Sequence, residues 1–121
     1  MIKTDTMKKY IVIYHAPVDA MQQSSQSTPE EMEKGMQAWM TWVQKCGDRL
    51  IDMGSPLANG LTLGTDGNHV PSERGVVGYS ILQADSMDEA RSLLKDHPHM
   101  GWNAACQIEV HESLPVPGSQ S

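Results

Sequence analysis

Two segments of this chain have the length of a β-strand and carry apolar side chains at both odd and even positions. They are KKYIVIYHA (8–16) and RGVVGYSILQA (74–84), and both are rich in β-branched and aromatic residues. Successive side chains of a strand point to opposite faces of its sheet, so these segments predict a sheet that is buried on both faces. The fold must therefore provide a cover for each face.

Residues 28–47 are predicted to form a helix. Thr28 and Glu31 form a capping box, Pro29 suits the first helical position, and Gly47 follows the last apolar position. Apolar residues recur at helical spacing and predict one buried stripe along this helix. The stripe consists of Met32, Met36, Trp39, Met40 and Val43, with Trp42 at its edge.

A second helix is predicted over residues 86–99. It begins with a second capping box, formed by Ser86 and Glu89. Pro98 is expected to end it, because proline lacks the N–H and its ring disfavours continuation of the helix.

Three further segments predict strands. They are residues 48–57, a hairpin over 61–72 that turns at Asp66-Gly67, and the last strand over 104–112. The resulting order, β-α-β-hairpin-β-α-β, is that of the ferredoxin-like split βαβ fold. This is an α+β fold whose antiparallel sheet has both helices on one face.

Two helices cover only one face of such a sheet, although both faces are predicted to be buried. A second copy of the chain, packed sheet against sheet, is the most economical cover, so we predict a homodimer. We expect a single domain with a core over about 8–112, a polar loop over 17–28 and a Pro/Gly/Ser tail over 113–121.

The composition excludes several classes of protein. The net charge is −6 and Lys8-Lys9 is the only basic pair, which argues against binding of nucleic acid. No run of about 20 apolar residues is present to span a membrane. The N-terminus lacks the apolar region of a signal peptide, and Cys46 and Cys106 form no CxxC motif. We therefore expect a cytoplasmic protein with reduced, packed thiols.

The chain resembles the YCII-related proteins, and especially their DGPF branch. The resemblance covers about 8–110 and implies a dimeric α+β barrel of ferredoxin-like topology, for which most members have no assigned reaction. It rests on MKKYIVIY, PEEMEKGMQAWMTWVQ, GSPLANG, the Asp66-Gly67 hairpin, GYSILQADSMDEA, HPH and the IEV of the last strand. The sequence departs from the family in having PSER in place of D-G-P-F. The histidine that the family is proposed to use near its first helix is also missing.

The stretch DHPHMGW (96–102) holds the first candidates for chemistry. His97 and His99 are candidate general acids or bases, because histidine titrates near neutral pH, and Asp96 is the candidate carboxylate partner. The alternative is structural, since cationic side chains near a helix C-terminus interact favourably with its carbonyl groups. Pro98 separates the two histidines, so we expect at most one of them to face the sheet.

His15 is the fourth catalytic candidate. It follows the first strand, which neighbours the last strand, where His111 lies. Three imidazoles, those of His15, His97 and His99, are sufficient ligands for a catalytic zinc ion. However, there is no HExxH motif, and His-Pro-His is not a helical pair. We therefore predict neither a metal nor an organic cofactor.

Aromatic side chains and one turn are the candidates for binding a ligand. Tyr14, Trp39 and Trp102 are predicted to line a cleft, and Gly54 and Pro56 lie in a bend (54–60) whose N–H groups suit a small anion. Two functions remain open from the sequence. One is a cofactor-independent enzyme that uses histidine acid/base chemistry on a small molecule in a cleft of the dimer; the other is a non-catalytic ligand-binding or accessory module.

Overall fold

The structure is a computed structural model that describes residues 7–17, 26–102 and 104–116. Residues 18–25 of the predicted loop and residues 117–121 of the predicted tail lie outside the described residues. Over the described residues the chain is an α+β protein. Its elements are β1 (Lys8–His15), α1 (Pro29–Cys46), β2 (Leu50–Asp52), β3 (Leu61–Leu63), β4 (His69–Pro71), β5 (Val76–Ala84), α2 (Met87–Leu94) and β6 (Gln107–Ser113), with short 3-10 helices at Gly47–Arg49 and Pro98–Gly101.

Four strands form one sheet in the order β2-β5-β1-β6, and every neighbouring pair is antiparallel. β3 and β4 form a separate hairpin, which turns at Asp66-Gly67 as the sequence predicts; Gly67 has a φ of 88°. In the larger sheet, Tyr14 lies opposite Gly78 of β5 and Ile108 of β6. The first and last strands, β1 and β6, are therefore neighbours in the sheet.

The core lies on one face of this sheet. Alternate residues of β1 and β5 are buried there, and the same cluster contains residues from both helices. Both helices therefore cover the same face, as the sequence predicts. The buried residues of this cluster are Tyr10, Val12, Tyr14, Trp42, Cys46, Leu82, Ala84, Ala90 and Leu94. On the opposite face, Ile11, Ile13, Tyr79 and Ile81 are partly exposed.

The predicted stripe of α1 is confirmed at Trp39 and Val43, which pack against the core, and is wrong at its three methionines. Met32 and Met36 are 64% and 55% exposed, and Met40 is exposed as well, whereas Trp42 is 3% exposed. Residues 29–38 are all exposed, so α1 packs against the described core only through its C-terminal half. Helical spacing locates an apolar stripe, but it does not tell which turns of the helix rest on the sheet.

The second helix ends earlier than predicted, at Leu94 rather than at Pro98. Lys95 is extended, Asp96 has a φ of 61°, and the N–H of His97 donates to the carbonyl of Leu94 at 3.1 Å. This is the geometry of a type II turn. The residue before a proline avoids the helical region, which explains why the helix ends before His97.

The cap of α1 is confirmed, and that of α2 differs in one partner. The Thr28 hydroxyl and the Glu31 carboxylate each accept the other residue's backbone N–H. Ser86 caps α2 by accepting the N–H of Glu89, but the Glu89 carboxylate accepts the N–H of Asp85. Among the described residues, no helix is long and apolar enough to cross a membrane.

Candidate functional site

His97 and His99 both point into the protein. They are 1% and 4% exposed, and their rings lie 5.0 and 5.2 Å from the ring of Tyr14. The prediction that at most one of them faces the sheet is therefore wrong. The reason is that Pro98 begins a 3-10 helix instead of ending an α-helix, with His97 as the N-cap.

A directional chain of hydrogen bonds begins at His97. The N–H of His99 donates to His97 Nδ1 at 2.9 Å, so the proton of the neutral imidazole is on Nε2. Nε2–H then donates to the Tyr14 hydroxyl at 3.2 Å, and that hydroxyl donates to Ser80 Oγ at 2.7 Å. Ser80 donates to the carbonyl of Met53 at 2.8 Å, where the chain ends.

Burial keeps the side chains of this hydrogen-bond chain uncharged. Burial, with smaller contributions from the nearby His99 and Lys45, lowers the pKa of His97 to about 3. Burial also raises the pKa of the Tyr14 hydroxyl far above its usual value. For His99, burial lowers the pKa, while hydrogen bonds with the backbone of His15 and Gln107 oppose that shift. At neutral pH His97 is a neutral donor with both ring nitrogens engaged, so it has no lone pair free for a ligand.

The predicted aromatic pocket is filled by the imidazole of His97. The rings of Tyr14, Trp39 and Trp42 lie 5.0, 4.6 and 4.4 Å from it. Trp42 also donates its Nε1–H to the carbonyl of Leu93 at 2.9 Å, which ties α1 to α2. Tyr14 and Trp39 therefore enclose a buried histidine and do not line an open cleft.

Asp96 and Trp102 lie at the surface near this cluster. Asp96 is exposed and borders a cavity of about 340 Å³ that is also lined by Trp42 and Lys45. Both ring nitrogens of His97 have other partners, so Asp96 is not the carboxylate that orients His97. Trp102 is 37% exposed, and its ring packs edge-on 5.7 Å from that of His99.

Gly54 and Pro56 attach their bend to β5. The Gly54 N–H donates to the Asp52 carboxylate at 2.7 Å, and Pro56 forms a β-bridge with Gly78. Gly54 has a φ of 82°, and a Cβ there would lie 1.6 Å from the carbonyl oxygen of Tyr79. This bend therefore holds the sheet edge, and its first N–H is already engaged.

An open cleft of about 460 Å³ lies at the end of β1, where this strand meets β6. Its size falls within the usual range for sites of small molecules, roughly 300–1,000 Å³. Of the predicted site residues, His15 is the one that lines it. The other lining residues are Arg74, Met100, Gln107, Ile108 and Glu109.

A close approach of two backbone segments places Arg74 beside His15. The N–H of Ala16 donates to the carbonyl of Gly75 at 2.9 Å, and Gly75 has a φ of 70°. A Cβ on Gly75 would lie 2.7 Å from the carbonyl oxygen of Ala16, so this approach requires glycine. As a result, His15 Nδ1 donates to the carbonyl of Arg74 at 2.7 Å.

Glu109 joins two histidines on the helix-free face. His15 Nε2 lies 2.8 Å from one oxygen of its carboxylate, and His111 Nε2 lies 2.7 Å from the other. Hydrogen bonds from His111 and then from His15 lower the pKa of Glu109, so it is ionised at neutral pH. A protonated His15 satisfies both contacts, donating from Nδ1 to a carbonyl and from Nε2 to this carboxylate. The His15 side chain is 20% exposed and that of Glu109 is 51% exposed.

Glu109 and Arg74 were not predicted from the sequence as site residues. A signal for Glu109 is present, since residues 107, 109 and 111 alternate along a predicted strand that neighbours the first strand. Arg74 carried no such signal, because its position depends on the approach of Gly75 to β1.

Within residues 7–17, 26–102 and 104–116, no group of three or more His, Cys, Asp or Glu side chains is arranged to hold a metal ion. In comparisons with known proteins, no protein-family model and no curated protein matches the chain.

Proposed function

We propose that the protein is a cofactor-independent enzyme that transfers protons to or from a small molecule, with His15 as the general acid or base. The observation that carries this proposal is the His15–Glu109 contact of 2.8 Å at the wall of an open cleft of about 460 Å³. A histidine oriented by a carboxylate within reach of a ligand is a common arrangement for acid/base catalysis.

The two nitrogens of His15 have different roles in this proposal. Nδ1–H is held by the carbonyl of Arg74, which fixes the orientation of the ring and leaves Nε2 as the nitrogen that exchanges a proton. During the reaction, the substrate atom on which negative charge develops replaces the Glu109 carboxylate as the acceptor of Nε2–H. The same nitrogen removes a proton in the reverse direction.

Glu109 and His111 support this exchange. When a substrate atom takes the proton of His15 Nε2, the Glu109 carboxylate keeps its hydrogen bond with His111 at 2.7 Å. The Glu109 carboxylate therefore stays close to His15, although it no longer accepts a hydrogen bond from Nε2. Its negative charge stabilises the protonated imidazole that forms when His15 acts as a base.

A non-catalytic ligand-binding or accessory module is the second candidate. It is favoured by the fact that both ring nitrogens of His15 have protein partners, as in a structural ion pair. In this case the cleft binds a small molecule and no proton transfer occurs.

We also propose that the chain is a YCII-related protein with a ferredoxin-like fold and that it acts as a homodimer. The strand order β2-β5-β1-β6 and the two helices on one face support this fold. The partly exposed apolar residues of the opposite face support the dimer. Because His15 and Glu109 lie on that face, the cleft would open at the dimer interface.

Proton transfer next to a carbonyl group tests the catalytic role. Small ketones and 2-oxo acids are incubated with the protein in D₂O, and the loss of carbon-bound protons is followed by ¹H NMR. We expect His15→Asn, which keeps a donor for the carbonyl of Arg74, to slow the exchange at least about 100-fold, within the usual contribution of general acid/base catalysis.

His69→Asn is the matched control, because His69 is an exposed histidine on β4. It should leave the rate of exchange unchanged. Equal rates for the wild type and His15→Asn would contradict the catalytic proposal, as would exchange no faster than without protein. A ligand that binds in the cleft while no exchange occurs would favour the binding module.

A further inference from the structure

Arg74 differs from the other two arginines of the chain in its partners. Arg49 Nε lies 3.0 Å from the Glu89 carboxylate, and Arg91 Nη1 lies 3.4 Å from that of Asp88. Arg74 is exposed at the cleft and makes no ion pair with any residue that the structure describes. In a chain with fifteen acidic and nine basic residues, this guanidinium is a positive charge available to a ligand.

The charges around the cleft favour a singly charged anion. Glu109 is the acidic group that lines it, and its two oxygens already accept hydrogen bonds from His15 and His111. With His15 protonated, the positive charges of Arg74 and His15 outweigh that of Glu109. A doubly charged phosphate would meet the repulsion of the Glu109 carboxylate, whereas one carboxylate matches the fork of a single guanidinium.

We infer that the cleft takes a small monocarboxylate, held by the Arg74 guanidinium with its apolar part against Met100 and Ile108. This inference rests on the proposed function, because it supplies the substrate class for His15. The carboxylate anchors the molecule at one end of the cleft, and the reacting atom is placed at His15 Nε2. Arg74 is then a specificity-determining residue.

Three probes of similar shape test this class of ligand with the full-length chain. Benzoate carries one negative charge, benzamide is neutral, and phenyl phosphate carries a larger charge. Binding is measured by ¹H–¹⁵N NMR through the backbone amides of Gln107 and Ile108, which line the cleft. We expect benzoate to shift these signals in a saturable way and to bind at least about tenfold more tightly than benzamide, as expected for one charge-assisted hydrogen-bonded pair.

Arg74→Gln removes the charge but keeps the backbone carbonyl that accepts from His15. We expect it to weaken benzoate binding at least about tenfold. Arg91→Gln is the matched control, since Arg91 is an exposed arginine on α2, and it should leave the affinity unchanged. Equal affinities of the two variants would overturn the inference. The same holds for benzamide binding as tightly as benzoate, for phenyl phosphate binding more tightly, or for an absence of saturable shifts with benzoate.

The binding experiment does not depend on turnover, so the two proposals fail separately. Selective benzoate binding without any proton exchange would support the monocarboxylate class and contradict the enzyme. Exchange that depends on His15, but without selectivity for carboxylates, would support the enzyme and overturn the role of Arg74.

Discussion

His97 is a histidine whose protonation opposes folding. Its side chain is 1% exposed and its pKa lies at about 3, below the value of about 6.5 for a histidine in an unfolded chain. Between these two values the unfolded state binds the extra proton. The contribution of His97 to stability is therefore fully present above about pH 6.5 and is lost as the pH falls towards 3.

This linkage predicts the effect of acid on stability. Between pH 7 and pH 5 the wild type should lose about 2 kcal/mol more of its free energy of unfolding than His97→Gln, as measured by urea denaturation. His99 is present in both proteins, so its own lowered pKa cancels in the difference. An identical loss in the two proteins would show that His97 titrates normally in the folded state.

A second measurement does not require a well-folded variant. ¹⁵N NMR of the imidazole should show His97 as the neutral form protonated at Nε2 at pH 5, because its Nδ1 accepts the N–H of His99. A protonated imidazole at that pH would contradict a His97 whose Nδ1 accepts the N–H of His99.

Which histidine is buried was not predictable from its neighbours in the sequence. The Asp-His-Pro-His spacing marks a turn, but both imidazoles reach Tyr14 only because the 3-10 helix at Pro98–Gly101 packs on β1 and β6. Whether His15 meets Glu109 likewise depends on how two distant strands pair. The sequence predicted that His15 lies near the last strand, and the fold decides which carboxylate it meets.

The helix α1 shows which features local sequence patterns predict well. Its cap at Thr28 and its start at Pro29 are local features, and both were predicted. The turns that rest on the sheet are set by tertiary packing: of the predicted stripe, Trp39 and Val43 pack against the core, whereas the three methionines are exposed. β2 is similar: of the predicted strand over 48–57, only Leu50–Asp52 forms a strand, and Gly54 turns the chain before Pro56 pairs with Gly78 of β5 through a single β-bridge.

The stability of variants in α1 follows from this packing. Trp42→Ala should destabilise the protein by about 3–5 kcal/mol, because it empties a buried site and leaves the carbonyl of Leu93 without its donor. Met36→Ala, at an exposed position of the same helix, should change the free energy of unfolding by less than about 0.5 kcal/mol. Thermal or urea unfolding measures both, and a larger cost for Met36→Ala would mean that this face of α1 is covered in solution.

The two faces of the sheet differ in what covers them. One face packs on both helices, and the other presents Ile11, Ile13, Tyr79 and Ile81 beside the His15–Glu109 pair. The sequence predicted that one apolar face would lack helices, because two strands carry apolar residues at both odd and even positions. Contiguous apolar surface with a polar rim is typical of an interface between protein chains.

The proposed homodimer therefore predicts a response to charge on this face. Light scattering of the wild type at micromolar concentration should give twice the mass of one chain, and Ile81→Lys should give a monomer, because a lysine there would lose its hydration in the interface. Ile81 lies opposite Ile11 of β1 and Asp52 of β2, so in a monomer the new ammonium group is exposed beside a carboxylate and the fold is retained.

Met36→Lys, which adds the same charge on the exposed part of α1, should remain a dimer. A wild type that scatters as one chain would contradict the dimer. If Met36→Lys dissociated while Ile81→Lys did not, the exposed methionines of α1 would be the interface.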